Sequence, residues 1–121
     1  MTDVLASGKV VSASAVEVPI EAIHADAQEP RAGLVPLATL DGCEVGVWEH
    51  TAGASSDVEE DEVFVVVSGS ATIAIVDGGE LHVTAGDVVR LSAGMRTTWT
   101  VHETLRKIYV CNVADLATPS A

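Results

Sequence analysis

Short runs of valine, isoleucine and threonine recur from about residue 34 onward, separated by Gly, Asp and Ser. This rhythm is typical of short β-strands joined by tight turns, and its even spacing favours a sandwich or barrel over an α/β fold. Asp77-Gly78-Gly79 also supplies residues that tolerate positive φ between two strands. We therefore predict an all-β fold. The predicted strands are Leu34 to Leu40, Cys43 to His50, Glu62 to Val67, Ala71 to Val76, Glu80 to Val83, Asp87 to Leu91, Arg96 to His102 and Leu105 to Val113.

The first 33 residues lack a clear period and predict a loosely held arm. Only Pro19 to Ala27 has helical character, so we expect one or two helical turns there. An ordered arm needs a surface to pack on, and a neighbouring subunit is a suitable support, which leads us to expect a homodimer. The sequence divides into an N-terminal arm (residues 1–33), a β-barrel (34–113) and a C-terminal tail (114–121).

Length and charge exclude several classes of function. At 121 residues the chain has the length of one domain, with one core and at most one large pocket. Its net charge of −12 repels phosphate backbones and anionic membranes, which argues against a nucleic-acid or membrane partner. No apolar run approaches the roughly 20 residues of a membrane span. We expect a soluble, cytoplasmic protein.

Several spacings in the chain follow the pattern of known motifs. Glu62 is followed, after six residues, by Gly69 at a predicted turn. Gly86-Asp87 precedes a predicted strand and then Ser92-Ala93-Gly94, with Thr97 three residues later. In these spacings the chain resembles the cupin superfamily. It also resembles the cupin subgroup that includes EutQ and ureidoglycine aminohydrolase in three further segments, and five ordered matches are more specific than any single one. The three segments are Trp48 to Gly53, Trp99 to Val101 and Arg106 to Tyr109.

The resemblance implies a double-stranded β-helix barrel over roughly residues 40–112. In this superfamily, metal ligands come from a His-x-His pair, a following Glu and a His of the second motif. Glu62 is retained here, but Thr97 stands where the second-motif His is expected. A threonine hydroxyl is a poor ligand for zinc, iron or manganese, so we expect no metal cofactor. The His-x-His positions fall on Ser56 and Val58 or, with the longer spacer, on Ser55 and Asp57.

The alternative is a rebuilt site in which Glu62, Glu60 and His50 hold a divalent transition metal. The period-two rule for strands places Trp48 and His50 on one face, whereas the same rule turns His102 away from the barrel interior.

The acidic run from Asp57 to Glu62 supplies the first catalytic candidate. Strand alternation places Glu60 and Glu62 on the face that carries Phe64, the predicted interior. Two carboxylates in a partly dry cavity repel each other, so the pKa of one should rise, and Glu62 becomes a candidate general acid or base. The second catalytic candidate is Lys107, which can bind a substrate carboxylate or neutralise Glu62. Alternatively, Glu62 and Lys107 form an inert salt bridge. The remaining acids, Asp57, Glu59 and Asp61, are interpreted as a solvated loop.

Aromatic residues are few, and two of the four are tryptophans in the matched segments. They either shape a ligand cavity or fill the core. Lys107 and Tyr109 share one face of the last strand. The predicted ligand-binding residues are Trp48, Glu60, Phe64, Thr97, Trp99 and Tyr109.

Three hypotheses about function follow. The first is a cupin that binds a small polar metabolite in the barrel without a His-ligated metal, and acts on it by carboxylate acid/base chemistry. The resemblance implies small nitrogenous or carboxylated compounds as ligands. The second is a metal-dependent lyase, hydrolase or dioxygenase with the rebuilt site. The third is a non-enzymatic dimeric sensor or accessory protein, which predicts a paired Glu62 and an apolar or filled cavity.

Overall fold

The computed structural model describes residues 3–112, and within them it contains eight β-strands and no helix. The all-β prediction is confirmed. Val113 and the predicted C-terminal tail lie outside the described residues. In chain order the strands are β1 (Glu21–Ala22), β2 (Arg31–Leu40), β3 (Cys43–His50), β4 (Gly53–Val58), β5 (Glu62–Ile75), β6 (Gly79–Thr84), β7 (Val88–Leu91) and β8 (Arg96–Asn112).

The two longest strands, β5 and β8, run antiparallel through the middle of the sheet. Their register pairs Glu62 with Cys111 at one end and Ile75 with Thr97 at the other. On the other side of β8, β3 and β4 pair with its two halves, while β7 and β6 pair with the two halves of β5. β2 and then β1 extend the sheet beyond β3. Each long strand therefore contributes side chains to both ends of the barrel.

The strands differ from the prediction in three places. β5 and β8 are each continuous where two shorter strands were predicted, and β4 lies in a segment for which none was predicted. The register of β5 against β8 shifts repeatedly between Val66 and Ala71, because both strands bulge there, and β5 continues instead of ending in a turn. Gly69 permits the close approach, because its φ is 87° and a Cβ there would overlap the carbonyl oxygen of Thr104.

The helical turns predicted over Pro19 to Ala27 are wrong. This segment contains the short strand β1 followed by bends and turns. Glu21 of β1 pairs with Ala32 of β2, so the sheet satisfies backbone groups that a helix would have paired internally. Short helices are marginal without strong packing, and here pairing with a sheet edge prevails over a weak local pattern.

The N-terminal arm packs on the outer face of its own barrel. Val18 is buried there against Leu37 and Val47, in a cluster separate from the barrel interior. The barrel thus supplies the surface that we expected from a second subunit, and the homodimer itself stays a prediction. None of the described residues belongs to a helix that could cross a membrane.

The main core fills one end of the barrel and extends toward the other end through Trp99, Tyr109 and Cys111. Inward positions of β8 alternate with outward ones, so Val101 is buried while His102 is exposed, as the period-two rule predicts. The buried cluster contains Phe64, Val66, Ala71, Ile73, Val83, Val89, Leu91, Trp99, Val101, Leu105, Tyr109 and Cys111.

Candidate functional site

A cavity of about 360 Å³ lies at the other end of the barrel interior. Its walls come mainly from β2, β3, β4, β5 and β8, together with the segment that joins β4 to β5. This volume lies within the range of small-molecule pockets, which place a few polar groups among apolar and aromatic walls. Seven of the predicted site residues line it, which are Trp48, His50, Glu60, Glu62, Trp99, Lys107 and Tyr109.

The ammonium of Lys107 is the polar centre of the cavity. Lys107 is only 5% exposed, and its Nζ donates a hydrogen bond to Oε2 of Glu62 at 2.6 Å. Three aromatic rings surround the same nitrogen, at 4.5 Å for Trp48, 4.2 Å for Phe64 and 4.9 Å for Trp99. Cation–π attraction and the carboxylate together offset the cost of burying this charge. The predicted salt bridge between Glu62 and Lys107 is therefore confirmed, and a lysine rather than a second carboxylate is the partner of Glu62.

Glu59 is a second buried carboxylate of the cavity wall, only 6% exposed. Its Oε2 accepts hydrogen bonds from the hydroxyl of Thr97 at 2.6 Å and from the indole Nε1 of Trp99 at 3.0 Å. The interpretation of Glu59 as part of a solvated loop is wrong. Asp57 also lines the cavity, and desolvation followed by the charge of Glu59 raises the pKa of its carboxyl.

His50 is fully buried in the wall beside Trp48, with the two ring centroids 5.4 Å apart. Its Nδ1 lies 2.6 Å from the carbonyl oxygen of Thr51, and its Nε2 lies 2.9 Å from the hydroxyl of Ser55. A carbonyl only accepts, so Nδ1 carries the proton and Nε2 of the neutral ring accepts from Ser55. Burial lowers the pKa of His50, which favours this neutral form.

Tyr109 and Cys111 complete the inner wall. The phenol of Tyr109 donates a hydrogen bond to Oε2 of Glu44 at 2.7 Å. Burial, and then this bond, raise the pKa of Tyr109. Burial, and then the charge of Glu44, raise the pKa of the Cys111 thiol to about 11. Both groups are therefore neutral near pH 7.

The model of the EutQ-like cupin domain family matches residues 37–109. The chain belongs to the EutQ-like cupin family. This agrees with the observed all-β barrel and confirms the predicted cupin fold. A comparison with curated proteins gave no significant match.

Solved structures show the same fold as this EutQ-like cupin. EutQ from Clostridium difficile shares 21% sequence identity, with coverage of 88% of this chain and 87% of that chain and a TM-score of 0.73. A protein described as EutQ from Salmonella typhimurium LT2 shares 23% identity, covering 93% and 94% of the two chains with a TM-score of 0.72. A cupin superfamily protein from Desulfitobacterium hafniense DCB-2 shares 17% identity, covering 93% and 98% with a TM-score of 0.63.

The strand register distinguishes the two possible sets of His-x-His positions in this EutQ-like cupin. Ser55 pairs with Trp99 and Asp57 pairs with Thr97, and both partners are buried in the barrel. Directly paired residues point to the same face of a sheet. Ser55 and Asp57 therefore stand at the inward positions, whereas Val58 is 56% exposed.

The donors in this EutQ-like cupin do not fit the three-ligand metal site of the rebuilt alternative. Both nitrogens of His50 are engaged, with Nε2 occupied by the hydroxyl of Ser55. The carboxylate of Glu62 is bound to the Lys107 ammonium, a cation that repels a metal ion. Within residues 3–112, no three His, Cys, Asp or Glu side chains form a group that could hold a metal. We therefore derive no chemistry through a metal.

The predicted residues separate into a wall and a supporting layer. Phe64 and Thr97 are buried but do not line the cavity, since Phe64 packs against Lys107 and Thr97 bonds to Glu59. Glu60 lines the cavity but precedes β5, so alternation along that strand does not place it. The wall residues that the sequence analysis did not propose as ligand-binding include Glu44, Ser55, Asp57 and Glu59.

Proposed function

We propose that this chain binds a small polar metabolite in the barrel cavity, with the Lys107–Glu62 pair rather than a His-ligated metal at the polar centre. The observation that supports it is the buried ammonium of Lys107, 2.6 Å from Glu62 at the wall of an open cavity. A buried ion pair adds little stability compared with apolar residues of similar volume. Its presence at a cavity wall, instead of two apolar side chains, therefore favours a role in binding.

The non-enzymatic hypothesis receives mixed support. It predicted a paired Glu62, which is observed, and an apolar or filled cavity, whereas the cavity is unfilled and its mostly apolar wall carries several charged groups. The cavity instead holds polar groups in fixed orientations, because Glu59, His50 and Tyr109 each have defined hydrogen-bond partners. The catalytic roles of Glu62 and Lys107 stay predictions, as do the homodimer and the cytoplasmic location.

Binding is tested by NMR, because each tryptophan indole N–H gives its own resonance. We would titrate the protein with a set of small amides, amines, carboxylates and ureides. Saturable shifts of the Trp48 and Trp99 indole resonances are expected for at least one chemical class, since both rings line the cavity. The outward-facing His102 and Val110 report non-specific association. Shifts confined to such outer residues, or no shift from any compound, would contradict the proposal.

The metal-free part of the proposal has a separate test. Elemental analysis of protein purified without chelators or a histidine tag is expected to find no stoichiometric transition metal. The matched variant is Glu62→Gln, which keeps the shape of the side chain and removes its charge. Stoichiometric metal in the wild-type protein that disappears in Glu62→Gln would support the metalloenzyme hypothesis instead.

A further inference from the structure

The charges around the cavity are strongly unequal. Within residues 3–112, five carboxylates line it against one ammonium, a formal excess of four negative charges. The ammonium of Lys107 is already paired with Glu62. The carboxylates are those of Glu44, Asp57, Glu59, Glu60 and Glu62.

Among residues 3–112, the neutral groups of the wall, His50 and Tyr109, add no positive charge to the cavity. His50 is neutral near pH 7, because burial lowers its pKa and the ring accepts a hydrogen bond through Nε2. Tyr109 is a neutral phenol that donates a hydrogen bond to Glu44, so it adds no positive charge. The whole chain also carries a net charge of −12. A cleft lined by one sign of charge concentrates ligands of the opposite sign.

The walls suit an organic cation for a second, independent reason. The indole rings of Trp48 and Trp99 line the cavity, with their centroids 5.4 Å apart. Both rings already contact the Lys107 ammonium, so what they offer a ligand is apolar surface for the carbon chain of an amine. The two hydrogen bonds from Thr97 and Trp99 also hold the buried Glu59 carboxylate in place before any ligand arrives. The cavity thus combines oriented negative charge with aromatic surface.

We infer that the cavity takes a small organic cation, an amine with a short carbon chain, with the carboxylates of Glu59 and Asp57 as its charged partners and Trp48 as an aromatic wall. This inference rests on the proposed function and names its ligand class. A ligand carboxylate is disfavoured, because it would approach the carboxylates of Glu59 and Asp57 and compete with Glu62 for Lys107.

Three probes of nearly equal size test the class directly, namely propylamine, propionamide and propionate. They differ mainly in charge, which at pH 7 is positive, zero and negative. We expect propylamine to shift the indole resonances with saturation and to bind at least tenfold more tightly than the other two. Its affinity should also fall as sodium chloride increases, because salt screens the carboxylates.

Matched variants test whether the cavity carboxylates cause the tighter binding of propylamine. Glu59→Gln removes one charge and keeps an acceptor for Thr97 and Trp99, so propylamine is expected to bind about tenfold more weakly, on the scale of one partly desolvated ion pair. Asp57→Asn is the second variant, on a more exposed residue whose replacement does not threaten the core. The control is Glu103→Gln, which makes the same change of charge on an exposed residue outside the cavity. It should leave the affinity unchanged.

The outcomes separate the two proposals. Tighter binding of propylamine that weakens in Glu59→Gln and Asp57→Asn, but not in Glu103→Gln, supports the inference. If propionate or propionamide binds as well as propylamine or better, the ligand class is wrong while binding in the cavity stands. If no probe shifts the indole resonances and the wider set of compounds also fails, both proposals are overturned.

Discussion

The two ends of the barrel interior are built from the same strands and differ in what fills them. Val101 and Leu105 of β8 lie in the closely packed core with Ile73 of β5. Further along β8, Lys107 and Tyr109 line a cavity. Strand alternation is the same at both ends, so secondary structure does not make the difference. The two ends differ because their inward side chains differ. We therefore expect stability and binding to respond to different substitutions.

Breaking the ion pair at the polar end should have the largest effect. Lys107→Met leaves the carboxylate of Glu62 without its partner in a side chain that is only 12% exposed. We expect the free energy of unfolding to fall by about 3–5 kcal/mol, as measured by urea denaturation. The exposed Lys9→Met is the matched control. Adding Glu62→Gln to Lys107→Met should restore much of the loss, and an equal loss from Lys9→Met would contradict the account.

Removing bulk at the apolar end should destabilise the fold without altering the cavity. Leu105 is completely buried, so Leu105→Ala is expected to lower the free energy of unfolding by about 2–5 kcal/mol through lost contacts and a cavity. Leu40, which is 67% exposed, provides the control substitution to alanine. Urea denaturation measures stability, and the two indole resonances report on the polar end. Displaced indole resonances in Leu105→Ala would show that the two ends are not separable.

Removing one hydroxyl from the supporting layer should have a smaller effect. Thr97→Val removes the hydroxyl that donates to the buried carboxylate of Glu59 at 2.6 Å and accepts from the indole Nε1 of Trp99 at 3.1 Å. Bonds to charged groups contribute about 1.5–3 kcal/mol, so a loss of about that size is expected on unfolding. Thr100→Val, on an exposed residue of the same strand, is the control. If both variants unfold at the same urea concentration, Glu59 does not depend on this bond.

The smallest expected effect is a pH dependence at the polar end. The folded-state pKa of His50 is lowered, chiefly by burial, so below about pH 6.5 the unfolded chain binds a proton that the folded chain does not. Stability should therefore decrease as pH falls from about 6.5 toward 5. In His50→Gln, the free energy of unfolding is expected to depend less on pH. Replacing the exposed His82 by Gln is expected to leave the pH dependence as in the wild-type protein. An unchanged slope in His50→Gln would mean that this histidine does not contribute to the dependence.

The sequence was sufficient for the fold and for part of the site. The rhythm of strands and turns predicted an all-β sandwich or barrel, and alternation correctly placed Lys107 and Tyr109 on one face of the last strand, which the structure shows to be the inward face. The N-terminal segment 19–27 was mispredicted, because its weak helical pattern competes with pairing to β2, a contact between distant residues. The pattern of residues within a short segment does not predict contacts with distant residues.

The position of Glu59 shows a more specific reason for error. When inward and outward positions are counted back from Glu62, the side chain of Glu59 falls outside the barrel. Glu59, however, comes directly after β4, and two residues separate it from β5. Counted forward from Ser55 and Asp57 of β4, the same rule puts Glu59 inside, where the structure has it. The alternation of inward and outward side chains shifts by one residue between β4 and β5, because the chain crosses from one strand to the other at residues 59–61. The strand Gly53–Val58 is rich in serine and low in apolar residues, so it was not predicted. Without it, the burial of the Glu59 carboxylate could not be predicted either.

The most direct test of the account is a crystal structure of protein prepared without chelators, with anomalous data collected at the absorption edges of manganese, iron and zinc. We predict that the Lys107 ammonium lies among the rings of Trp48, Phe64 and Trp99, bonded to Glu62, and that the cavity shows no anomalous peak. A metal peak at the Glu62 carboxylate, with Lys107 turned away from the three rings, would contradict it.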